Sequence, residues 1–435
     1  MRRTIAFVTP FVFLRDDYIF SPHSGLDHML RVNYRKHFFR RPNVSLLTLA
    51  SYLDDRYEID YVDEQYAPID FGKSYDIVAI SIMTVNAFRG YEIADRFRAQ
   101  GCHVIIGGIH ATLAPAEAKE HADTVVAGEG EEAWQQFLAD FEAGKPQPYY
   151  YGGSMNLDES PPPRYDLLPN DYFYSPLFQK EVYSFQYSRG CPHRCNFCAS
   201  SKAYGKKYRT KSVDHFIASV ESAAERAKGD FVLFFADDDI TIKRKASIEL
   251  FNRLADFPLK WVGCADIAIS DDPELMSSMA KANCEAVIVG LESLDGTILE
   301  TVDPFKAKYF KNNYGECVDR IMDAGLPIFG SFIVGFDGDD ERTFHRIFEF
   351  TMKHGFPKSS VSMLVPYPQT AIYDQLKAEN RLLFDKYWDK CSGAYPLYRP
   401  RDLTVDELLE GTYWISRKLA SASDSRDNQS RMLKM

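Results

Sequence analysis

The chain has 435 residues, of which 45% are hydrophobic and 26% charged, a composition typical of a globular protein of roughly two to three domains. Its 51 Lys and Arg against 62 Asp and Glu give a net charge of −11, which disfavours a large polyanion such as duplex DNA as a partner. The N-terminal apolar run is broken by Arg15, Asp16 and Asp17, and no stretch reaches the roughly 18 apolar residues that span a bilayer. We therefore expect a cytoplasmic protein without a transmembrane segment or a nucleic-acid partner.

Residues 3 to 142 alternate between apolar runs and amphipathic segments. The predicted strands are Thr4–Thr9, Tyr57–Val62, Asp76–Ile82, His103–Gly107 and Thr124–Ala127, and the predicted helices are Ser45–Asp54, Asn86–Gln100, Ala114–His121 and Glu131–Ala143. Strands separated by helices form a parallel sheet that is covered on both faces. This pattern predicts an α/β, doubly wound, Rossmann-like domain over residues 1–145, whose ligands bind at the carboxyl ends of the strands.

Residues 146–180 are rich in Pro and Tyr and are predicted to be a linker. From about Tyr183 the alternation resumes, with predicted strands at 183–188, Phe231–Phe235, Leu259–Ala265, Ala286–Leu291, Ile328–Val334 and Ser359–Leu364 and five helices between them, Val213–Ala227, Ala246–Ala255, Asp272–Ala282, Asn312–Ala324 and Asp340–Lys353. Such a succession predicts a partial (β/α)6 barrel over residues 181–375. Residues 376–435 are expected to form a mixed segment that covers the substrate, followed by a polar tail.

Three of the eight cysteines are crowded together, at Cys191, Cys195 and Cys198. In a reducing compartment such a group favours metal ligation or catalysis over disulfides. Three thiolates on one tight loop can hold three irons of a four-iron cluster, which leaves the fourth iron open to a molecule with an amino and a carboxylate group. A zinc knuckle or purely structural cysteines are the alternatives, although structural zinc takes four ligands and no fourth Cys or His with finger spacing follows.

This Cys-x3-Cys-x2-Cys spacing, with the aromatic Phe197 directly before the last cysteine and a βα barrel around it, resembles the radical S-adenosylmethionine enzymes. The resemblance implies that Cys191, Cys195 and Cys198 bind a [4Fe–4S] cluster and that S-adenosylmethionine occupies the open iron. It also implies a one-electron reductant such as flavodoxin or ferredoxin, and release of a 5′-deoxyadenosyl radical. The segments FADDDI, GLES, GSFIVGFDGDD and PYPQT look like the subgroup of the anaerobic oxidative cyclase and the hopanoid methylases.

Acidic residues at the ends of the predicted barrel strands are candidate ligands for S-adenosylmethionine, as is Phe197. Asp237, Asp238 and Asp239 can accept hydrogen bonds from an ammonium or a ribose hydroxyl at the barrel end that carries the chemistry, or can form an acidic turn that caps the next helix. Glu292 follows four apolar residues, so it is expected to be partly buried and to need a partner. That partner is either the cationic methionyl group or a barrel Lys or Arg. The superfamily's usual Gly-Gly-Glu segment is replaced here by ADDD.

The first domain is similar to cobalamin-binding domains, particularly over VSLLTLASYL, GGIHATLAPAEA and ADTVVAGEGEEAW. The resemblance implies that Ser81, Gly107 and Gly108 lie where such domains hold the nucleotide tail, and that His110 lines the pocket unless it is bonded locally at a helix start. The loop from Pro10 to Asn43 lacks Asp-x-His-x-x-Gly, so cobalt would have no histidine below it. A flavin, a nucleotide or a domain that only covers the substrate are the alternatives.

Taken together, the resemblances imply a cobalamin-dependent methyltransferase that acts on an unactivated carbon of a small, apolar or ring-containing metabolite. One alternative is a radical oxidative cyclase or rearrangement enzyme in cofactor, lipid or natural-product biosynthesis. Another is a corrinoid or iron–sulfur carrier protein, although six barrel units and a long segment after them exceed what a carrier needs. A tRNA-modifying enzyme is disfavoured by the net charge of −11.

Overall fold

The computed structural model of the protein describes residues 2–11, 41–175, 178–311 and 313–432, with the side chains of 423–432 left out. The chain divides into two compact units. The first unit consists of Met1–Gln186, Lys202–Gly205 and Arg209–Val232, and the second of Tyr187–Ser201, Lys206–Tyr208 and Leu233–Met435. No helix among the described residues is both long enough and apolar enough to cross a bilayer.

The first unit contains a six-stranded sheet made of β1 Arg3–Thr9, β2 Tyr57–Asp63, β3 Ile77–Ser81, β4 His103–Gly107, β5 Thr124–Gly128 and β6 Tyr149–Gly152. Neighbouring strands are parallel and follow the order β2-β1-β3-β4-β5-β6. The five predicted strands are confirmed. β6 was not predicted, since its four residues follow Pro148 and precede Gly153 inside the supposed linker, a run too short for a periodic signal.

Apolar side chains bury both faces of this sheet, as expected when helices cover it on each side. Ile5 and Phe7 of β1 are fully buried, and the Phe7 ring lies 5.5 Å from that of Trp134. The fold's helices, in chain order, are α1 Val44–Ala50, α2 Ala87–Ala99, α3 Ile109–Leu113, α4 Pro115–His121, α5 Gly130–Glu142, α6 Ser200–Ala203, α7 Val213–Arg226, α8 Arg244–Leu254, α9 Pro273–Lys281, α10 Gly296–Val302, α11 Pro304–Lys311, α12 Tyr314–Asp323, α13 Glu341–Lys353, α14 Ala371–Ala378 and α15 Val405–Met432.

The strand order of the first sheet marks its ligand edge. β2 lies on one side of β1 and β3 on the other, so the direction of sheet growth reverses between β1 and β3. In doubly wound folds ligands bind outside the carboxyl ends of the strands at this reversal. Ser81 and Gly107 lie at that edge. Most of the loop that follows β1, residues 12–40, lies outside the described residues.

The remaining strands are β7 Tyr174–Ser175, β8 Lys180–Phe185, β9 Ser188–Arg189, β10 Arg209–Thr210, β11 Phe231–Phe235, β12 Lys260–Ala265, β13 Cys284–Glu292, β14 Ile328–Val334 and β15 Lys358–Met363. A seven-stranded, curled sheet has the order β15-β14-β13-β12-β11-β8-β7. From β8 to β15 its strand order follows the chain order, so each crossover adds a strand on the same side, as in a barrel. The predicted partial (β/α)6 barrel is confirmed.

Two stretches of the second unit differ from the prediction. Between β13 and α12 the chain forms the unpredicted helices α10 and α11, which the Asp303–Pro304 step separates. Their seven and eight residues are too short to show a clear helical period. Near the C-terminus α15 is helical as far as Met432, through the segment expected to be a polar tail, and Leu408, Ile415 and Leu419 are its buried apolar positions.

Candidate functional site

The three crowded cysteines lie on one loop of the second unit, just after β9. Cys191, Cys195 and Cys198 are free thiols of intermediate exposure. The backbone of Asn196 fixes the loop on two sides, because its N–H donates to Val302 O at the end of α10 (3.0 Å) and its carbonyl accepts from Ile372 N at the start of α14 (3.2 Å). The loop is therefore anchored by its backbone, which leaves the thiols to serve as ligands.

The separation of the three thiols is compatible with a four-iron cluster. In the described part of the chain no group of three or more His, Cys, Asp or Glu side chains is arranged to hold one metal ion. The three ligands of a four-iron cluster bind three different irons, so they do not need to converge on one point. Burial raises the pKa of Cys191 to about 12 and also that of Cys195 and Cys198. Iron must therefore displace their protons when it binds.

Asp237 binds the backbone just before the cysteine loop. Its Oδ1 accepts hydrogen bonds from the backbone N–H and from Oγ of Ser188 (2.5 Å for Oγ), and its Oδ2 accepts from Tyr187 N (3.1 Å). The residue is 6% exposed, and burial raises the pKa of its carboxyl group to about 7. Its predicted role as a cofactor ligand stays a prediction, beside the contacts that Asp237 makes within the protein. Both oxygens are engaged within the protein, so Asp237 positions the chain that leads into the cysteines.

The two aspartates that follow Asp237 differ in their exposure and in their partners. Asp238 is exposed, and its Oδ1 accepts from Ser200 Oγ at 2.7 Å, two residues after Cys198. Asp239 is buried, and its Oδ1 accepts from the N–H and Oγ1 of Thr241 at 2.8 and 2.6 Å. Asp239 thus closes a buried turn with Thr241 and does not cap the next helix, whose N-cap is Lys243. Asp238 presents a carboxylate beside the cysteine loop.

Glu292 ends β13 in a strained conformation. Its φ is 60°, in the left-handed region, and the pairing of β13 with β14 is irregular between Gly290 and Glu292. Its carboxylate lies over Gly290, where an added Cβ would be 2.3 Å from Oε1. The same Oε1 lies 2.9 Å from Lys306 Nζ, so the expected salt bridge is present, although its lysine belongs to α11 and not to a barrel strand.

The sequence analysis missed Asp303 and Lys306, which lie between Glu292 and the cysteines. Lys306 Nζ is 3.3 Å from Asp303 Oδ2, and the same oxygen accepts a hydrogen bond from Cys195 Sγ at 3.0 Å. Asp303 and Lys306 are 2% and 8% exposed. Their one local signal is the Asp-Pro step that starts α11, which predicts a helix cap and not a partner for Glu292 or Cys195.

Phe197 is half-buried between the second and third cysteines. Its ring centroid lies 5.7 Å from that of Phe336, which follows β14, at an interplanar angle of 54°. The two rings form a tilted aromatic pair next to the thiols. Phe197 therefore supplies apolar surface beside the expected cluster.

At the carboxyl edge of the first sheet, the two predicted glycines differ. An added Cβ at Gly108 would lie 2.6 Å from Ile82 O, and its φ of 99° is in the left-handed region. At Gly107 an added Cβ would meet only ordinary contacts, at 3.7 Å from Val126. Gly108 is thus required by the fold itself. Ser81 and Gly107 are partly buried, so each keeps some accessible surface at the carboxyl edge of the sheet.

His110 is completely buried in the first unit. Its Nδ1 lies 3.3 Å from Thr84 Oγ1 and its Nε2 lies 3.5 Å from Glu117 Oε1. The expectation that His110 lines the cofactor pocket stays a prediction. Its two contacts, one to Thr84 in another segment and one to Glu117 seven positions later, hold the ring within the first unit.

Comparison with known proteins agrees with the assignments made for each of the two units. Residues 185–351 match the Radical SAM superfamily, and residues 35–138 match the B12 binding domain. The chain is 30% identical to bacteriochlorophyllide d C-12(1)-methyltransferase of Chlorobaculum tepidum over 387 residues, 87% of this chain and 83% of the relative. It is 28% identical to bacteriochlorophyllide d C-8(2)-methyltransferase of the same organism, covering 81% of this chain and 80% of that one.

A solved structure has the same fold. TsrM from Kitasatospora setae, a radical S-adenosylmethionine methyltransferase with cobalamin and a [4Fe–4S] cluster bound, superposes with a TM-score of 0.67 at 17% identity, covering 87% of this chain and 78% of that one. The predicted cofactors, a [4Fe–4S] cluster, S-adenosylmethionine and cobalamin, are confirmed by the two domain matches. The chain belongs to the radical S-adenosylmethionine enzymes, in the group that carries a B12-binding domain before the barrel.

Proposed function

We propose that this enzyme transfers a methyl group from cobalamin to an unactivated carbon of a small, apolar or ring-containing metabolite. The observation that carries the proposal is the presence, in one chain, of an anchored loop with three free thiols and of a doubly wound unit whose strand order reverses between β1 and β3. The relatives named above methylate bacteriochlorophyllide, which supports a ring-containing acceptor. Since the family consists of enzymes, a carrier protein is no longer an alternative.

When bound, the cluster and S-adenosylmethionine supply a 5′-deoxyadenosyl radical after one-electron reduction, and methylcobalamin supplies the methyl group. The chain's own residues bind and orient these groups. Cys191, Cys195 and Cys198 hold the cluster, while the exposed carboxylate of Asp238 accepts a hydrogen bond from the ammonium or a ribose hydroxyl of S-adenosylmethionine. Oε2 of Glu292 accepts no hydrogen bond from the described residues, so it is available to a ligand hydroxyl. Flavodoxin or ferredoxin is the proposed reductant.

The segment after the barrel is proposed to cover the substrate. Its contacts place it at the carboxyl ends of β14 and β15. Gly393 O accepts from Met363 N (2.7 Å), Tyr387 OH donates to Pro366 O (2.7 Å), and Tyr398 OH donates to Gly335 O. Barrel enzymes keep their chemistry at this end of the strands. The segment is thus in a position to exclude water from a radical intermediate.

The test begins with anaerobic purification from cells supplied with cobalamin, followed by reconstitution of iron and sulfide. We expect about four irons, from the cluster chemistry, and about one cobalt per chain. The reconstituted enzyme is then incubated with methyl-labelled S-adenosylmethionine and candidate ring metabolites, including chlorins and polycyclic lipids. The masses of the products are measured by mass spectrometry. A labelled methyl group in the product supports the proposal. Loss of two hydrogens without methyl gain identifies an oxidative cyclase instead, and iron without cobalt contradicts the methyl-transfer mechanism.

The two glycines at the carboxyl edge give a matched test of the cobalamin site. We expect Gly107→Ala to leave the melting temperature within about 1 °C of the wild type, since its Cβ meets only ordinary contacts, but to lower bound cobalt several-fold. Gly108→Ala should be destabilised by about 1–3 kcal/mol even without cobalamin, because of its positive φ and the approach to Ile82. Thermal melts measure the stability of both variants, and cobalt analysis measures how much cobalamin each one binds. Full cobalt retention by Gly107→Ala would place the corrinoid away from this residue.

A further inference from the structure

A buried lysine, Lys306, lies between the carboxyl end of β13 and the cysteine loop. Lys306 Nζ lies 2.9 Å from Glu292 Oε1 and 3.3 Å from Asp303 Oδ2. The same Asp303 oxygen lies 3.0 Å from Cys195 Sγ, whose proton it accepts until iron displaces that proton. The Glu292–Lys306–Asp303–Cys195 chain of side chains is therefore continuous from β13 to one of the three thiols. Its three charged members are each at most 8% exposed.

Burying these three charged side chains does not by itself stabilise the folded protein. Each ion removed from water loses several kcal/mol of hydration, and apolar residues of similar volume often stabilise a core as well or better. Glu292 adds backbone strain, since its φ is positive, and it needs a glycine at 290 to lie where it does. Cost and strain concentrated next to the cysteines point to a role in the chemistry of that site.

Three acidic side chains favour the charged form of Lys306. Although burial disfavours the ammonium form, Glu292, Asp266 and Asp303 hold the pKa of Lys306 well above its ordinary range. The Lys306 ammonium group lies within 3.3 Å of carboxyl oxygens of both Glu292 and Asp303, so its loss would leave this pair of acidic side chains without their cation. Because an iron–sulfur cluster becomes more negative when it takes up an electron, a fixed positive charge nearby favours the reduced form and a fixed negative charge disfavours it.

We propose that Lys306 is a positioning residue that raises the reduction potential of the cluster held by the three cysteines, by neutralising Asp303 beside the Cys195 sulfur and by holding the carboxylate of Glu292 at the end of β13. Outer partners of metal ligands tune metal centres in this way. The inference rests on the radical S-adenosylmethionine assignment and is independent of which carbon the enzyme methylates.

The experiment compares reconstituted full-length wild type, Lys306→Gln, Lys306→Arg and Asp303→Asn. Iron per chain is measured first, and the cluster is then titrated with reductant while electron paramagnetic resonance records the reduced fraction. At a fixed reductant potential we expect the ratio of reduced to oxidised cluster to fall about tenfold in Lys306→Gln, which corresponds to about 59 mV for one electron. Lys306→Arg should restore the ratio, and Asp303→Asn should move it in the opposite direction.

The decisive result is a reduced-to-oxidised ratio that falls in Lys306→Gln and rises in Asp303→Asn. A purely structural defect would lower the iron content of both variants and would not shift this ratio in opposite directions. An unchanged ratio in both variants, or a shift of the same sign, overturns the inference. If Lys306→Gln binds no iron, Asp303→Asn decides alone, and the absence of a rise in its reduced fraction overturns the inference. A wild type that binds no [4Fe–4S] cluster contradicts the proposed function instead, so the two failures are distinguishable.

Discussion

Cys198→Ala will lower bound iron from about four atoms per chain to background after anaerobic reconstitution. It will also reduce cleavage of S-adenosylmethionine by at least about a thousandfold, a loss of about 4 kcal/mol of transition-state stabilisation. The reason is that two thiols on a loop anchored through Asn196 cannot replace the third, and a four-iron cluster with two protein ligands is lost from the chain. Iron analysis, the visible spectrum and 5′-deoxyadenosine formation measure the effect.

Cys284→Ala is the matched control. Cys284 is also a free thiol of intermediate exposure, but it starts β13, at the amino end of a strand whose carboxyl end carries Glu292. We expect this variant to retain the wild-type iron content and cleavage rate. If Cys198→Ala retained four irons, or if both variants lost them equally, the cysteine loop would not be the cluster site.

What could be predicted from the sequence followed from local signals. The parallel strands are continuous apolar runs, and such runs are readable without knowledge of their neighbours. The three cysteines fall within eight positions, so their spacing alone indicated a shared cofactor. The strand order was not local information. Only the structure places the reversal between β1 and β3 in the first sheet and the steady addition of strands in the barrel.

The roles that could not be predicted depend on partners far away in the chain. Asp237 bonds Tyr187 and Ser188, about fifty positions earlier, so its sequence context showed an acidic turn and not an anchor. Glu292 finds Lys306 on a helix too short for a clear periodic pattern. Gly108 was assigned to a ligand although the backbone of Ile82 already excludes a side chain there. Close packing inside the fold and close approach to a cofactor both require glycine. Only the structure shows which of these two causes applies at a given glycine.

Asp237 and Asp238 are neighbours with opposite expected phenotypes. Asp237→Asn replaces an acceptor by an amide group that opposes the backbone donors of Tyr187 and Ser188. We expect a loss of about 1–3 kcal/mol and a melting temperature lower by several degrees. Asp238→Asn keeps the oxygen that accepts from Ser200, so its melting temperature should not change. The lost charge-assisted hydrogen bond should instead raise the KM for S-adenosylmethionine by about tenfold or more.

The pH dependence separates the two variants further. Burial raises the pKa of Asp237 to about 7, so the folded chain keeps this proton at pH values where the unfolded chain, with an Asp pKa of about 3.9, has lost it. The folded state therefore binds more protons between about pH 4 and 7, and the contribution of this group to the free energy of unfolding falls as pH rises through that window. Asp237→Asn removes this slope, so the difference in melting temperature between it and the wild type should be larger at pH 5 than at pH 8. Equal differences at both pH values, or a KM effect in Asp237→Asn alone, would return Asp237 to the role of a cofactor ligand.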